Sequence, residues 1–107
     1  MYQRIVCFKY KPDVDAEMIM KHMREFRKLK DIIPEIKSYS AGLAVPQDDG
    51  SMPDFDSMHY LTFASLEDIS SYFLHDDHQR LRVLNRQLSD RIFVMTTEIS
   101  VLKVFVT

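Results

Sequence analysis

The sequence predicts an α+β fold in which a four-stranded antiparallel sheet carries helices on one face. Segments with strand-type and helix-type apolar spacing follow one another in the order β-α-β-β-α-α-β, which is the split βαβ arrangement of ferredoxin-like folds. In addition, the first strand is apolar on both faces, so the face without helices also needs cover. We expect that cover from a second copy of the chain, whose sheet would complete an eight-stranded barrel in a homodimer.

The first strand and the first helix are delimited by prolines. The strand spans residues 2–10, and Arg4 shares a face with Val6 and Phe8 because alternate strand residues point the same way. Asp15 is the predicted N-cap of the helix, and Pro34 stops it. A helical stripe is predicted to face the core, formed by Ile19, Met23, Phe26, Leu29 and Ile33. His22 is predicted to lie on the solvent-facing side of this helix.

Two further strands and a helix start follow. The second strand is predicted at 35–45, with Gly42 as a bend or bulge, and a long acidic loop occupies 46–56. The third strand, 57–64, places His59 on the same face as Leu61 and Phe63. Ser65 is the predicted cap of a short helix.

The closing segment 91–107 is rich in β-branched and aromatic residues and predicts a long strand. Its end, "VLKVFV", is apolar on both faces, and an exposed edge of that kind would aggregate. This is a second reason to expect a partner subunit.

Length and charge restrict the class of protein. The 107 residues suffice for a single domain, 1–107, and the net charge of -2 argues against nucleic acid as the main partner. The one cysteine, Cys7, is expected to be a buried structural thiol, as in a reducing cytoplasm. No segment has the pattern of a signal peptide or a membrane span.

The segment "SSYFLHDDHQRLR" (70–82) contains the residues best suited to chemistry, Tyr72, His75 and His78. Three interpretations remain open. The histidines, with an aspartate or His59, could ligate a metal. His78 could act as a general base beside Tyr72, because imidazole titrates near neutral pH. Alternatively, His75 ends one helix, Asp76 or Asp77 caps the next, and His78 makes a structural hydrogen bond.

Several segments together resemble the stress-responsive A/B barrel domain (Dabb) family. They are "RIVCFKYKPDV", "LKDIIPEIKSYSAG", "YLTFASLEDISSYFLHDDHQ" and "DRIFV", in that order along the chain. The resemblance implies a homodimeric α+β barrel. It also implies similarity to a plant member, olivetolic acid cyclase, in which a tyrosine and a histidine at the positions of Tyr72 and His78 act together in an aldol-type cyclisation. The cyclase has a histidine where this chain has Arg4.

We therefore expect a mainly apolar pocket between the sheet and the helices that binds a small hydrophobic or carbonyl-containing molecule. Tyr72 and His78 are the predicted catalytic residues, acting without a cofactor or a metal. The predicted substrate-binding residues are Arg4, Phe8, Phe26, His59, Phe73 and His75. Two alternatives remain: a non-catalytic structural dimer or assembly module, and a haem-handling monooxygenase of the wider dimeric barrel superfamily.

Overall fold

The computed structural model of the protein describes residues 1–99, and the predicted element order is confirmed. The elements are β1 (Tyr2–Tyr10), α1 (Ala16–Ile32), β2 (Ser38–Leu43), β3 (Ser57–Phe63), α2 (Leu66–Leu74), α3 (Asp76–Leu88) and β4 (Ser89–Glu98). The strands form one antiparallel sheet in the order β2-β3-β1-β4. The architecture is thus α+β with a ferredoxin-like sheet.

The bounds of β2 and β4 differ from the predicted ones. β2 is shorter than 35–45, and β4 begins at Ser89 rather than at residue 91. The predicted continuation of the last strand through residues 100–107 lies outside the described residues. Gly42 is not a bulge, because it pairs with Met58 in an unbroken register. The register instead shifts between Lys9 and Tyr10, where β1 pairs with the start of β4.

Side-chain caps fix where the helices begin. Asp15 and Ser65 cap α1 and α2 as predicted, and their side-chain oxygens accept hydrogen bonds from the backbone nitrogens of Met18 (2.8 Å) and Asp68 (3.1 Å). At the start of α3, the predicted cap was wrong. His75, with extended backbone, rather than Asp76 or Asp77, is the N-cap, and its Nδ1 accepts from the backbone nitrogen of Asp77 at 3.1 Å.

The helices cover one face of the sheet and form the core against it. On β1 the buried residues are Val6, Phe8 and Tyr10, which alternate as the strand pattern predicts. The stripe of α1 faces them, with Phe26 1% and Ile33 0% exposed. The core therefore lies between the sheet and α1, α2 and α3.

The opposite face, which we call the open face, carries none of the three helices, although Phe55 of the loop before β3 contacts Phe93 there, with ring centroids 6.1 Å apart. Cys7 is paired with Met58 on β3 and with Phe93 on β4, so these side chains share the open face. Met58, Phe93 and Met95 are 48%, 40% and 46% exposed. Cys7 itself is half-buried rather than buried. A large apolar face left in water is the signature of an interaction surface.

Candidate functional site

A pocket of about 280 Å³, here called the α3 pocket, lies between α3 and the helix-covered face of β1 and β4. Five of its lining residues were predicted as site residues: Arg4, Phe26, Tyr72, Phe73 and His78. The others are Val6, Arg82, Asn85, Arg86, Ile92 and Val94. Such a pocket is slightly smaller than the roughly 300–1,000 Å³ sites of drug-sized ligands, so its occupant would be small.

His78 is held in one orientation by the helix junction. It lies in the first turn of α3, is 6% exposed, and its Nδ1 is 2.9 Å from the backbone oxygen of Phe73. Because a carbonyl oxygen only accepts, Nδ1 carries the proton and Nε2 keeps its lone pair. Burial, with smaller contributions from Arg4 and Arg82, lowers the pKa of His78 although the Phe73 hydrogen bond opposes the shift. The imidazole is therefore a neutral base at pH 7.

Tyr72 packs against this imidazole from α2. The two ring centroids are 4.3 Å apart, and Tyr72 is 1% exposed. Burial raises the pKa of Tyr72 to about 12, so its hydroxyl remains protonated. Within residues 1–99 this hydroxyl has no hydrogen-bond partner, so it can donate to a bound molecule. The break between α2 and α3 at His75 is what brings Tyr72 and His78 together.

The remaining predicted site residues lie elsewhere. Phe8 and His59 are both 0% exposed and belong to the core behind the pocket, where the Phe26 ring stacks on His59 with centroids 4.0 Å apart. His75 caps α3 and does not line the α3 pocket. The structure thus groups five of the eight predicted residues around one cavity and separates the other three from it.

The prediction that His22 faces solvent was wrong. His22 is 0% exposed, with Nδ1 2.7 Å from the Tyr10 hydroxyl and Nε2 2.6 Å from Oδ1 of Asn85. Since the Asn85 oxygen only accepts, Nε2 carries the proton and Nδ1 accepts from Tyr10. His22 follows Ile19 by three residues and precedes Phe26 by four, so it lies within the predicted apolar stripe. That spacing could have predicted that His22 is buried. Its burial is possible because both ring nitrogens form hydrogen bonds.

His59 is buried with half of its hydrogen-bonding capacity unmet. Its Nδ1 is 2.7 Å from the Tyr39 hydroxyl, whereas Nε2 is buried and has no partner among residues 1–99. Burial, with a smaller effect of His22, lowers the pKa of His59 to about 3. His59 therefore remains neutral in the folded protein at all ordinary pH values.

Arg82, Asn85 and Arg86 were not predicted as site residues, although the sequence contained a signal for them. They follow His78 on α3 by four, seven and eight residues, so all four side chains project from one face of the helix. Together with Arg4 on β1, this places three arginines in the lining, with no aspartate or glutamate among the lining residues. The α3 pocket is therefore electropositive.

Residues 1–99 contain neither a metal-binding cluster nor a helix able to span a membrane. No group of three or more His, Cys, Asp or Glu side chains is arranged there to hold a metal ion. None of the helices in this range has the length and apolar character needed to cross a bilayer.

Comparison with known proteins gives one family. The family model described as "Stress responsive A/B Barrel Domain" (Dabb) matches residues 3–99. No curated protein matches the chain in sequence.

Several solved structures share the fold. A protein of Arabidopsis thaliana superposes with a TM-score of 0.83 at 18% identity, over 94% of this chain and 96% of its own. The hydroxynitrile lyase of Passiflora edulis superposes with a TM-score of 0.85 at 20% sequence identity, over 92% of this chain and 93% of its own. A dimeric ferredoxin-like protein of unknown function from Thermobifida fusca superposes with a TM-score of 0.79 at 17% identity, over 92% of this chain and 90% of its own. At these identities the likeness extends to the fold alone.

Proposed function

Because the chain belongs to the stress responsive A/B barrel domain (Dabb) family, we propose that it is a homodimeric protein that binds a small carbonyl compound in the α3 pocket and removes a proton from it without a cofactor. One observation carries this proposal: His78 and Tyr72 line the same mainly apolar cavity with their ring centroids 4.3 Å apart, and Nε2 of His78 keeps its lone pair because Nδ1 donates to the Phe73 oxygen. A similarly folded protein, from Passiflora edulis, is a hydroxynitrile lyase.

The proposed reaction needs one base and one hydrogen-bond donor. Nε2 of His78 takes a proton from the carbon beside the carbonyl. The electrons of the broken C–H bond form a carbon–carbon double bond, and the π electrons of the carbonyl move onto its oxygen to give an enolate. The Tyr72 hydroxyl donates a hydrogen bond to the enolate oxygen, which stabilises the charge where it develops. The enolate carbon then recovers the proton from His78, or it forms a bond to a second carbonyl carbon, whose π electrons move onto its oxygen. In the second case His78 returns its proton to that alkoxide oxygen, so the imidazole is neutral again in both cases.

The homodimer is proposed from the open face. Its exposed apolar side chains, including Met58, Phe93 and Met95, would be buried if two sheets packed face to face. The similarly folded protein from Thermobifida fusca is described as dimeric. The α3 pocket lies on the other face of the sheet, so both copies would keep it accessible.

We expect the protein to exchange the methylene protons of phenylacetone, a small apolar ketone, for deuterium in D2O, as followed by proton NMR. His78→Gln removes the base and is expected to lower the protein-dependent exchange rate at least about hundredfold. Tyr72→Phe removes the donor, with an expected loss of about hundredfold. Because the pKa of His78 is lowered, the wild-type rate should stay level as pH falls from 8 to about 6.5, the ordinary pKa of histidine.

The chain offers a matched control for these variants. His75→Asn changes the neighbouring histidine, which lies outside the α3 pocket, and asparagine can still cap α3. Its exchange rate should equal that of the wild type. If the wild type does not accelerate exchange, or if His78→Gln retains full acceleration, the catalytic proposal is wrong. In the first case the non-catalytic dimer becomes the better description.

A further inference from the structure

The three arginines of the α3 pocket are arranged without an acidic partner. Arg4, Arg82 and Arg86 line the cavity, and none of them forms an ion pair with a carboxylate of residues 1–99. This happens in a chain whose net charge is -2, with 16 acidic residues available. Guanidinium groups that line one pocket repel one another, and an anion bound between them would offset that repulsion.

Arg4 is held in place with part of its hydrogen-bonding capacity unused. One terminal nitrogen donates to Oγ1 of Thr96 at 2.9 Å, and the guanidinium lies 6.0 Å from the centre of the Tyr72 ring. Its Nε, however, is buried and finds no partner in the described part of the chain. A buried donor left unpaired is costly and rare in a folded protein.

The two arginines of α3 are placed on the wall opposite Arg4. Arg82 stacks on the Phe73 ring, 4.7 Å from its centre, and one terminal nitrogen donates to Oε1 of Gln79 at 3.2 Å. Stacking and a neutral acceptor leave its charge uncompensated. Arg86 is exposed one turn further along the helix and adds a second charge to the same wall.

We propose that the molecule bound in the α3 pocket carries a carboxylate, which Arg4, Arg82 and Arg86 bind while its apolar part contacts Phe26, Ile92 and Val94. This inference rests on the proposed function and specifies its substrate class: a small carbonyl compound that is also a carboxylic acid. Guanidinium pairs with a planar carboxylate through two parallel hydrogen bonds, a geometry that lysine does not offer. The apolar lining requires an organic body, which an inorganic anion lacks.

Two probes of nearly equal shape test this inference. Phenylpyruvate and phenylacetone share the ring, the methylene and the ketone, and differ by a carboxylate in place of a methyl group. We expect the wild-type protein to bind phenylpyruvate at least about tenfold more tightly, measured by NMR titration of the full chain. The preference should shrink as sodium chloride is raised, because salt screens charge pairing. Inorganic phosphate should bind more weakly than phenylpyruvate.

Three variants identify the responsible charges. Arg4→Gln is expected to weaken phenylpyruvate binding about tenfold, and Arg86→Gln, at the exposed mouth, about threefold. Both variants should weaken the binding of phenylacetone less than they weaken the binding of phenylpyruvate. Arg24→Gln removes the same charge from the exposed side of α1, outside the pocket, and should leave both affinities unchanged. Arg86→Gln is also the safeguard against misfolding, since an exposed helix arginine is replaced by a good helix former.

The titration of the His78 imidazole, followed by NMR, is an independent test of carboxylate binding. Arg4 and Arg82 both contribute to the lowered pKa of His78, so a bound carboxylate that neutralises them should raise it. Phenylpyruvate should therefore shift the imidazole titration to higher pH, and phenylacetone should shift it less. Equal affinity for the two probes would overturn the carboxylate inference and leave the proposed function standing. Failure of both probes to bind would overturn the proposed function, and the inference with it.

Discussion

Phe93→Glu is expected to convert the proposed homodimer into a monomer. Phe93 lies on the open face of β4, opposite Cys7, and is 40% exposed in the single chain. In a dimer closed through this face, the substitution would bury two carboxylates per assembly without partners. The expected cost of at least about 3 kcal/mol corresponds to a more than hundredfold weaker association. Size-exclusion chromatography with light scattering should show the mass fall from twice 12.7 kDa to 12.7 kDa.

The neighbouring residue supplies the control. Ile92 is 41% exposed and lies one position away on the same strand, so its side chain points to the helix-covered face. Ile92→Glu introduces the same charge at the same exposure and should leave the dimer intact. A wild-type protein that is monomeric, or a Phe93→Glu variant that stays dimeric, would contradict association through the open face.

Acid is expected to destabilise the protein steeply below pH 6.5 because three histidines are buried in their neutral form. The pKa values of His22, His59 and His78 are all lowered by burial, that of His59 to about 3. The unfolded chain takes up these protons near pH 6.5, whereas the folded chain does not. The stabilisation is therefore complete above pH 6.5 and is lost progressively as the pH falls toward 3.

The size of this effect follows from the pKa of His59 alone. Between its unfolded pKa of about 6.5 and pH 4.5, two units at about 1.4 kcal/mol each remove about 3 kcal/mol. That is a large part of the roughly 5–15 kcal/mol typical of a whole domain. Urea unfolding at pH 7.5, 6.0 and 4.5, at a fixed protein concentration, measures the slope.

Two substitutions separate His59 from other causes of acid unfolding. His59→Phe removes the titrating group and should reduce the stability lost between pH 7.5 and pH 4.5 by about 3 kcal/mol. Tyr39→Phe removes the hydrogen-bond partner of His59 but keeps the imidazole, so the steep pH dependence should remain. If His59→Phe keeps the wild-type slope, His59 is not the source of the acid sensitivity.

Local sequence patterns predicted much of the fold. The alternation of Val6 and Phe8, the stripe of α1 and the caps Asp15 and Ser65 are all found in the structure. The reason is that strand and helix periods, and the capping of unpaired backbone nitrogens, depend on residues within a few positions of one another. The helix junction that brings Tyr72 into contact with His78 is also formed by a short segment, since the two residues are six positions apart.

Placement across the fold depended on the tertiary structure. His22 looked like a surface residue, and it is buried because Tyr10 on β1 and Asn85 on α3 bring partners to both ring nitrogens. The strand prediction gave Gly42 as a bend or bulge, whereas the register shift lies between Lys9 and Tyr10, where Tyr10 pairs with Ser89, the first residue of β4. Long-range pairing and packing determine such features, and no short segment contains that information.

The candidate site, too, was predicted only in part from the sequence. Short-range patterns were enough to predict the fold class, the element order and a tyrosine–histidine pair at a helix junction. That Arg4 on β1 lines one cavity with Arg82 and Arg86 on α3, and that His59 lies behind it in the core, followed from the packing of α3 against the sheet. A pocket is the space left when separate elements pack together, so its lining is set by contacts between residues far apart in the chain.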